Sequence, residues 1–191
     1  MSEQIEFFYD VGSPYSYFAA AQAEALAKET GLPVVWRPFL LGGVFKASGN
    51  QPPVSVPARA PYLMKDLQRC SAHLGLPLRM PSRFPLNTIL PMRALASLPQ
   101  AELPAASLKL FRGYWFDDLD ISQPEVVGDL LGAHAVAEAN DEAVKQKLKD
   151  NSEEAVRRGA FGAPTFFVGN EMFFGHDRIP LLKWWLANRR G

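Results

Sequence analysis

Apolar residues fill positions 5–9 except for Glu6, and a run of this length closed by Asp10 and Gly12 predicts a buried strand. Residues 15–29 are rich in Ala, Gln, Leu and Glu and read as a helix that stops at Gly31-Leu32-Pro33. Residues 33–39, with Val34, Val35 and Trp36, give a second short strand, and a strand-helix-strand unit of this size is a right-handed crossover with parallel strands. Residues 40–61 carry Gly, Pro, Asn and Ser with little periodicity, which predicts a functional loop. Helical composition then covers residues 62–75, 92–98, 103–117, 124–134 and 141–159, with prolines at 77, 81, 85 and 91 between the first two. Two apolar runs, Thr165–Val168 and Glu171–Phe174, flank Gly169-Asn170, a pair that tolerates positive φ and favours a hairpin. A helix over 178–187 closes the chain.

This order of elements predicts an α/β chain: a thioredoxin-like mixed sheet with an inserted all-helical domain. Residues 1–40 and 135–191 are expected to form the discontinuous thioredoxin-like domain, and 41–134 the insertion.

Composition narrows the function. The chain has 191 residues, 48% of them hydrophobic, enough for a sizeable core. Twenty basic residues balance twenty acidic ones, so no bulk field favours nucleic acid or an anionic membrane, and a small, locally recognised ligand is expected. No apolar stretch approaches the roughly 20 residues that span a bilayer, and the first residues lack the pattern of a secretory leader, so a cytoplasmic protein is expected. Cys70 is the single cysteine, which leaves no dithiol to cycle and no intramolecular disulfide. Three histidines, at 73, 134 and 176, give no metal-ligand spacing, so no metal is expected.

Candidate chemistry centres on Ser13-Pro14-Tyr15-Ser16. A serine between a strand and a helix faces free backbone N–H groups and the positive end of the helix dipole, where an anionic sulfur or oxygen is stabilised. Ser before a helix is also a favoured N-cap, and Pro14 suits the first helical position, so both readings of Ser13 stand. The two serines occupy the positions of a Cys-x-x-Cys pair. Any thiol chemistry must therefore bring its sulfur from outside. Ala163-Pro164, at the start of the first hairpin strand, faces the same turn if the fold is thioredoxin-like; a cis bond there would offer the Ala163 backbone to a ligand peptide lying as an extended strand. His176-Asp177 opens the last helix, where Asp177 is either a cap or an acceptor for a ligand ammonium, with the backbone N–H groups taking a carboxylate. Asn50 offers an amide in the long loop, Arg59 a positive charge, and Asn87 a polar contact or a turn stabiliser. Cys70 reads as a small, partly buried thiol, and Trp36, Trp115, Trp184 and Trp185 as core.

The segment from Asp10 to Tyr17 resembles the 2-hydroxychromene-2-carboxylate isomerases and the kappa-class glutathione transferases, in the DsbA-like branch of the thioredoxin superfamily. The resemblance continues through Trp36-Arg37-Pro38, Ser48 to Pro53, Tyr62 with Asp66-Leu67, Phe84 to Thr88, Gly159 to Pro164 and Phe174 to Arg178. It implies that glutathione is the cofactor, its thiol held by Ser13, with Asn50, Ala163, Pro164, His176 and Asp177 on the tripeptide. Arg59 falls on the family's basic position, and with Asn87 is assigned to a small aromatic substrate. The implied activity is cis-trans isomerisation of an aromatic α-keto acid in aromatic catabolism, by a homodimer. A kappa-like transferase or peroxidase and a non-catalytic binding module are the alternatives.

Overall fold

The computed structural model describes residues 3–189. Four strands form one sheet: β1 (Ile5–Tyr9), β2 (Val34–Pro38), β3 (Thr165–Val168) and β4 (Glu171–Phe174). Their order is β2-β1-β3-β4, with β1 and β2 parallel and the other neighbours antiparallel. The helices are α1 (Pro14–Thr30), α2 (Leu41–Ser48), α3 (Ala60–Leu74), α4 (Ile89–Ser97), α5 (Leu103–Trp115), α6 (Pro124–Leu131), α7 (Ala133–Glu138), α8 (Glu142–Arg157) and α9 (Ile179–Asn188).

Strand periodicity divides the core in two. Ile5, Phe7 and Tyr9 point to one face and pack with Trp36 and Phe166 into the main apolar cluster, which extends into α1, α4, α5 and the helices beyond. Phe7 sits at its centre, with ring centroids 4.9 Å from Tyr9, 4.9 Å from Phe166 and 5.0 Å from Trp36. Truncating a fully buried phenylalanine of this kind to alanine costs about 3–5 kcal/mol. Phe8 points to the other face, where Phe39, Val44, Ala155 and Phe167 cover it. Glu6 shares that face and holds Arg37 at 3.1 Å and Arg158 at 2.6 Å, while the Arg158 guanidinium lies 3.9 Å over the Phe167 ring.

The predicted crossover and hairpin are present, and three expectations change. Residues 40–61 are not all loop, because α2 forms within them. Gly42-Gly43 hides this helix, since each glycine costs about 1 kcal/mol in a helix interior. Tertiary contacts offset that cost: Val44 is buried, Leu40 N donates to Ser152 Oγ at 2.9 Å and Leu41 N to Asp10 Oδ2 at 2.9 Å. The single helix expected over 124–134 is two, broken at Gly132, whose φ of 96° leaves the helical region. Trp184 is no core residue: it lies on the open face of α9, 60% exposed, while Trp36 and Trp115 are buried.

Candidate active site

The strand-turn-helix start delivers Ser13 as the N-cap of α1, with Pro14 at the first helical position. The side chain is 4% exposed. Its Oγ accepts a hydrogen bond from Ser16 N at 3.2 Å and donates to the Ala163 carbonyl oxygen at 3.1 Å. Capping and the encounter with Ala163 thus coexist in one hydroxyl. The Ala163-Pro164 peptide is cis. Ser16, at the second position of the pair, is fully buried and its Oγ has no hydrogen-bond partner among the described residues. The two hydroxyls are not equivalent: Ser13 lines a cavity and Ser16 does not.

That cavity has a volume of about 1100 Å³. It brings together Ser13, Asn50, Arg59, Ala163, Pro164, His176 and Asp177 from five stretches of chain. Asn50 closes one side, its Nδ2 donating to the Phe161 carbonyl at 2.8 Å and its Oδ1 accepting from Gln51 N at 2.9 Å. Arg59, at the start of α3, is exposed on the lining. Asp177 does not cap α9; its Oδ2 pairs with Arg178 Nη1 at 2.9 Å. Asn87 stands apart from the lining, exposed, with its Oδ1 accepting from Ile89 N at 3.0 Å.

Other lining residues make contacts that the sequence did not assign to them. Tyr15 donates its hydroxyl to Asp66 Oδ2 at 2.7 Å, and Tyr62 donates to Asp66 Oδ1 at 3.3 Å. The His176 ring stacks on Tyr15 at 5.5 Å with 10° between planes, and its Nε2 lies 3.5 Å from Cys70 Sγ. Burial holds His176 below the ordinary histidine range, against the pull of Asp177 and Asp66. Burial and the Asp66 carboxylate push the Cys70 thiol up, so Cys70 is a poor nucleophile at neutral pH. Phe45, Phe84, Phe161 and Phe174 supply an apolar wall. Their scattered positions carry no shared spacing, so only folding reveals them as one surface. Among the described residues no group of three His, Cys, Asp or Glu is placed to hold a metal ion, and no helix is long and apolar enough to cross a membrane.

A thioredoxin-type sheet with a serine in place of the first thiol, set against a cis-proline loop and a large cavity, defines the class: a DsbA-like fold without a redox pair. Residues 4–187 match the model of the DSBA-like thioredoxin domain. Glutathione S-transferase kappa 1 of Rattus norvegicus is 31% identical, over 97% of this chain and 91% of that protein. The 2-hydroxychromene-2-carboxylate isomerase of Sphingobium xenophagum is 30% identical, over 98% of this chain and 100% of that protein. A solved 2-hydroxychromene-2-carboxylate isomerase (HCCA isomerase) superposes with a TM-score of 0.84 at 27% identity, covering 96% of this chain and 94% of that one. The chain belongs to the DsbA-like thioredoxin family, in the branch of the kappa-class glutathione transferases and 2-hydroxychromene-2-carboxylate isomerases.

Proposed function

We propose that this protein is a glutathione-dependent isomerase acting on a small aromatic α-keto acid. The observation that carries the reading is the Ser13 hydroxyl, held at the N-terminus of α1 and 3.1 Å from the Ala163 carbonyl on the wall of the cavity. The fit to the tripeptide rests on the donor set. When the tripeptide binds, the single Ser13 hydroxyl hydrogen turns from the Ala163 carbonyl to the thiolate, which releases that carbonyl for a cysteinyl N–H, and Asp177 offers a carboxylate for an ammonium.

Bound glutathione, held by Ser13, Ala163 and Asp177, would supply a thiolate nucleophile for reversible addition to a conjugated double bond. The chain's own part is electrostatic. A free thiol has a pKa of about 8.5, and each unit of depression requires about 1.4 kcal/mol of preferential thiolate stabilisation. The Ser13 hydroxyl and the N-terminal dipole of α1 supply that stabilisation together. Asn50 fixes the loop beside the tripeptide by tying it to the Phe161 carbonyl. Arg59 orients the substrate carboxylate, and the phenylalanine wall excludes water from the aromatic ring. Asn87 reaches the substrate only if the segment before α4 turns it inward.

A kappa-like transferase or peroxidase is the second reading, favoured by the similar identity to the rat transferase. The two readings part on the fate of glutathione. Isomerisation of a ring-opened aromatic α-keto acid with catalytic, undiminished glutathione supports the first; net glutathione loss with a halogenated aromatic or a hydroperoxide supports the second. Absence of glutathione binding would overturn both.

A further inference from the structure

We propose that Asp10 is a positioning residue for the Ser13 site, its buried carboxylate tying the turn before α1, the start of α2 and the start of α4 into one frame. Asp10 is 2% exposed at the end of an apolar strand. Its Oδ1 accepts from Gly12 N at 2.9 Å, and its Oδ2 accepts from Leu41 N at 2.9 Å and from Thr88 Oγ1 at 3.1 Å. Each donor belongs to a segment that lines the cavity: Ser13 follows Gly12, Phe45 follows Leu41 by one helical turn, and Phe84 precedes Thr88. The Asp10 backbone joins in, its carbonyl accepting from Ser13 N at 3.0 Å. The packing there leaves no slack, since a Cβ on Gly12 would meet Thr88 Cγ2 at 3.0 Å and Asp10 Oδ1 at 3.3 Å.

The bonds support the start of α2, but a buried carboxylate is a costly way to give that support. No cation pairs with Asp10 among the described residues, and burial pushes its carboxyl up while the three donors pull it back. A buried carboxylate with no cation beside it is a cost to the fold that its three donors offset only in part. It is placed where it fixes three cavity walls that no apolar side chain could hold, because backbone N–H groups demand an acceptor. The direction given to the Ser13 hydroxyl depends on that frame, so the thiolate stabilisation assigned to Ser13 depends on Asp10.

Asp10→Asn tests this at constant shape. The amide has one acceptor oxygen, so its NH2 must face either the Gly12 or the Leu41 N–H. In the protein alone, amide hydrogen exchange at Gly12, Ser13 and Leu41 is expected to accelerate about tenfold or more, the equivalent of one lost buried hydrogen bond, while Phe7 and Phe166 in the sheet keep their protection. With glutathione, on which this second arm alone rests, affinity is expected to fall about tenfold, and the pH midpoint of the bound thiolate, read by its ultraviolet absorbance at saturation, to rise. A residue that merely supports the fold would lower the melting temperature and leave that midpoint in place. Removing a negative charge without moving the turn would lower it.

Unchanged exchange at Gly12 and Leu41 in folded Asp10→Asn, or an unchanged or lowered midpoint, overturns the proposal. If wild type binds no glutathione, the functional reading fails and the exchange arm still decides the role of Asp10. Should Asp10→Asn not fold, Thr88→Val removes one donor alone, and Thr88→Ser, which keeps the hydroxyl, is expected to restore what Thr88→Val loses. Equal exchange in both Thr88 variants and wild type overturns the proposal in that case.

Discussion

The Ser13 hydroxyl and the Ala163 carbonyl meet at 3.1 Å although 150 residues separate them. Ser13→Ala removes this contact, the cap to Ser16 N and the proposed donor to a thiolate in one step. The fold should lose about 1 kcal/mol, as for other N-caps. The reaction should lose far more, about a hundredfold in kcat, as when one preorganised donor to an anionic centre is removed. Titration of bound glutathione by thiolate absorbance checks the cause: the variant should bind the tripeptide and ionise it at a higher pH than wild type, below the free value only by what the α1 dipole still supplies. Equal thiolate in both proteins would remove Ser13 from the mechanism.

Asn50 predicts a different signature. Asn50→Ala breaks the 2.8 Å bond to the Phe161 carbonyl and frees the loop beside the cavity. A neutral hydrogen bond of this kind contributes about 0.5–1.5 kcal/mol net, so glutathione affinity should weaken about three- to tenfold. The thiolate midpoint of saturated protein should stay put, because Ser13 is untouched. Calorimetric titration together with thiolate absorbance separates the two quantities.

Arg59 and Asn87 should part company. Arg59 lines the cavity, so Arg59→Gln is expected to raise KM for a carboxylate-bearing aromatic several-fold and to remove the salt dependence of that KM. Asn87 supports the start of α4 through Ile89 N, and Asn87→Ala should cost about 0.5–1.5 kcal/mol of stability with a smaller change in KM. Steady-state kinetics at two ionic strengths, paired with thermal melts, reads both. A larger KM effect at Asn87 than at Arg59 would reverse the assignment.

His176 carries a pH prediction. Burial holds its folded pKa below the ordinary histidine value near 6.5. The neutral ring is therefore favoured in the fold, and its contribution to stability is full above that ordinary value. It is lost as pH falls through it toward the folded pKa, since the unfolded chain gains the proton first. Thermal melts from neutral pH downward should show this loss in wild type and less of it in His176→Asn. Parallel pH profiles would place the titration elsewhere.

Much of this molecule is legible in its sequence, and the reasons are local. The apolar run of β1, the Ser13-Pro14 start of α1, the stop at Gly31 and the Gly169-Asn170 hairpin follow from capping, propensity and turn chemistry within a few residues. So do the candidacies of Ser13, Ala163, Pro164, His176 and Asp177, which lie at the termini of those elements. Long-range contacts decided the rest. A helix across Gly42-Gly43 exists because Asp10 and Ser152 satisfy its first N–H groups, and no local preference announces that. The outward turn of Trp184, the Tyr15-His176 stack and the gathering of Asp66 with two tyrosines depend on which helix faces pack. Sequence alone determined which residues have the chemistry to hold a borrowed thiol; only the tertiary structure decided which of them meet, because a side chain's partners in space are set by the packing of segments that the chain keeps far apart.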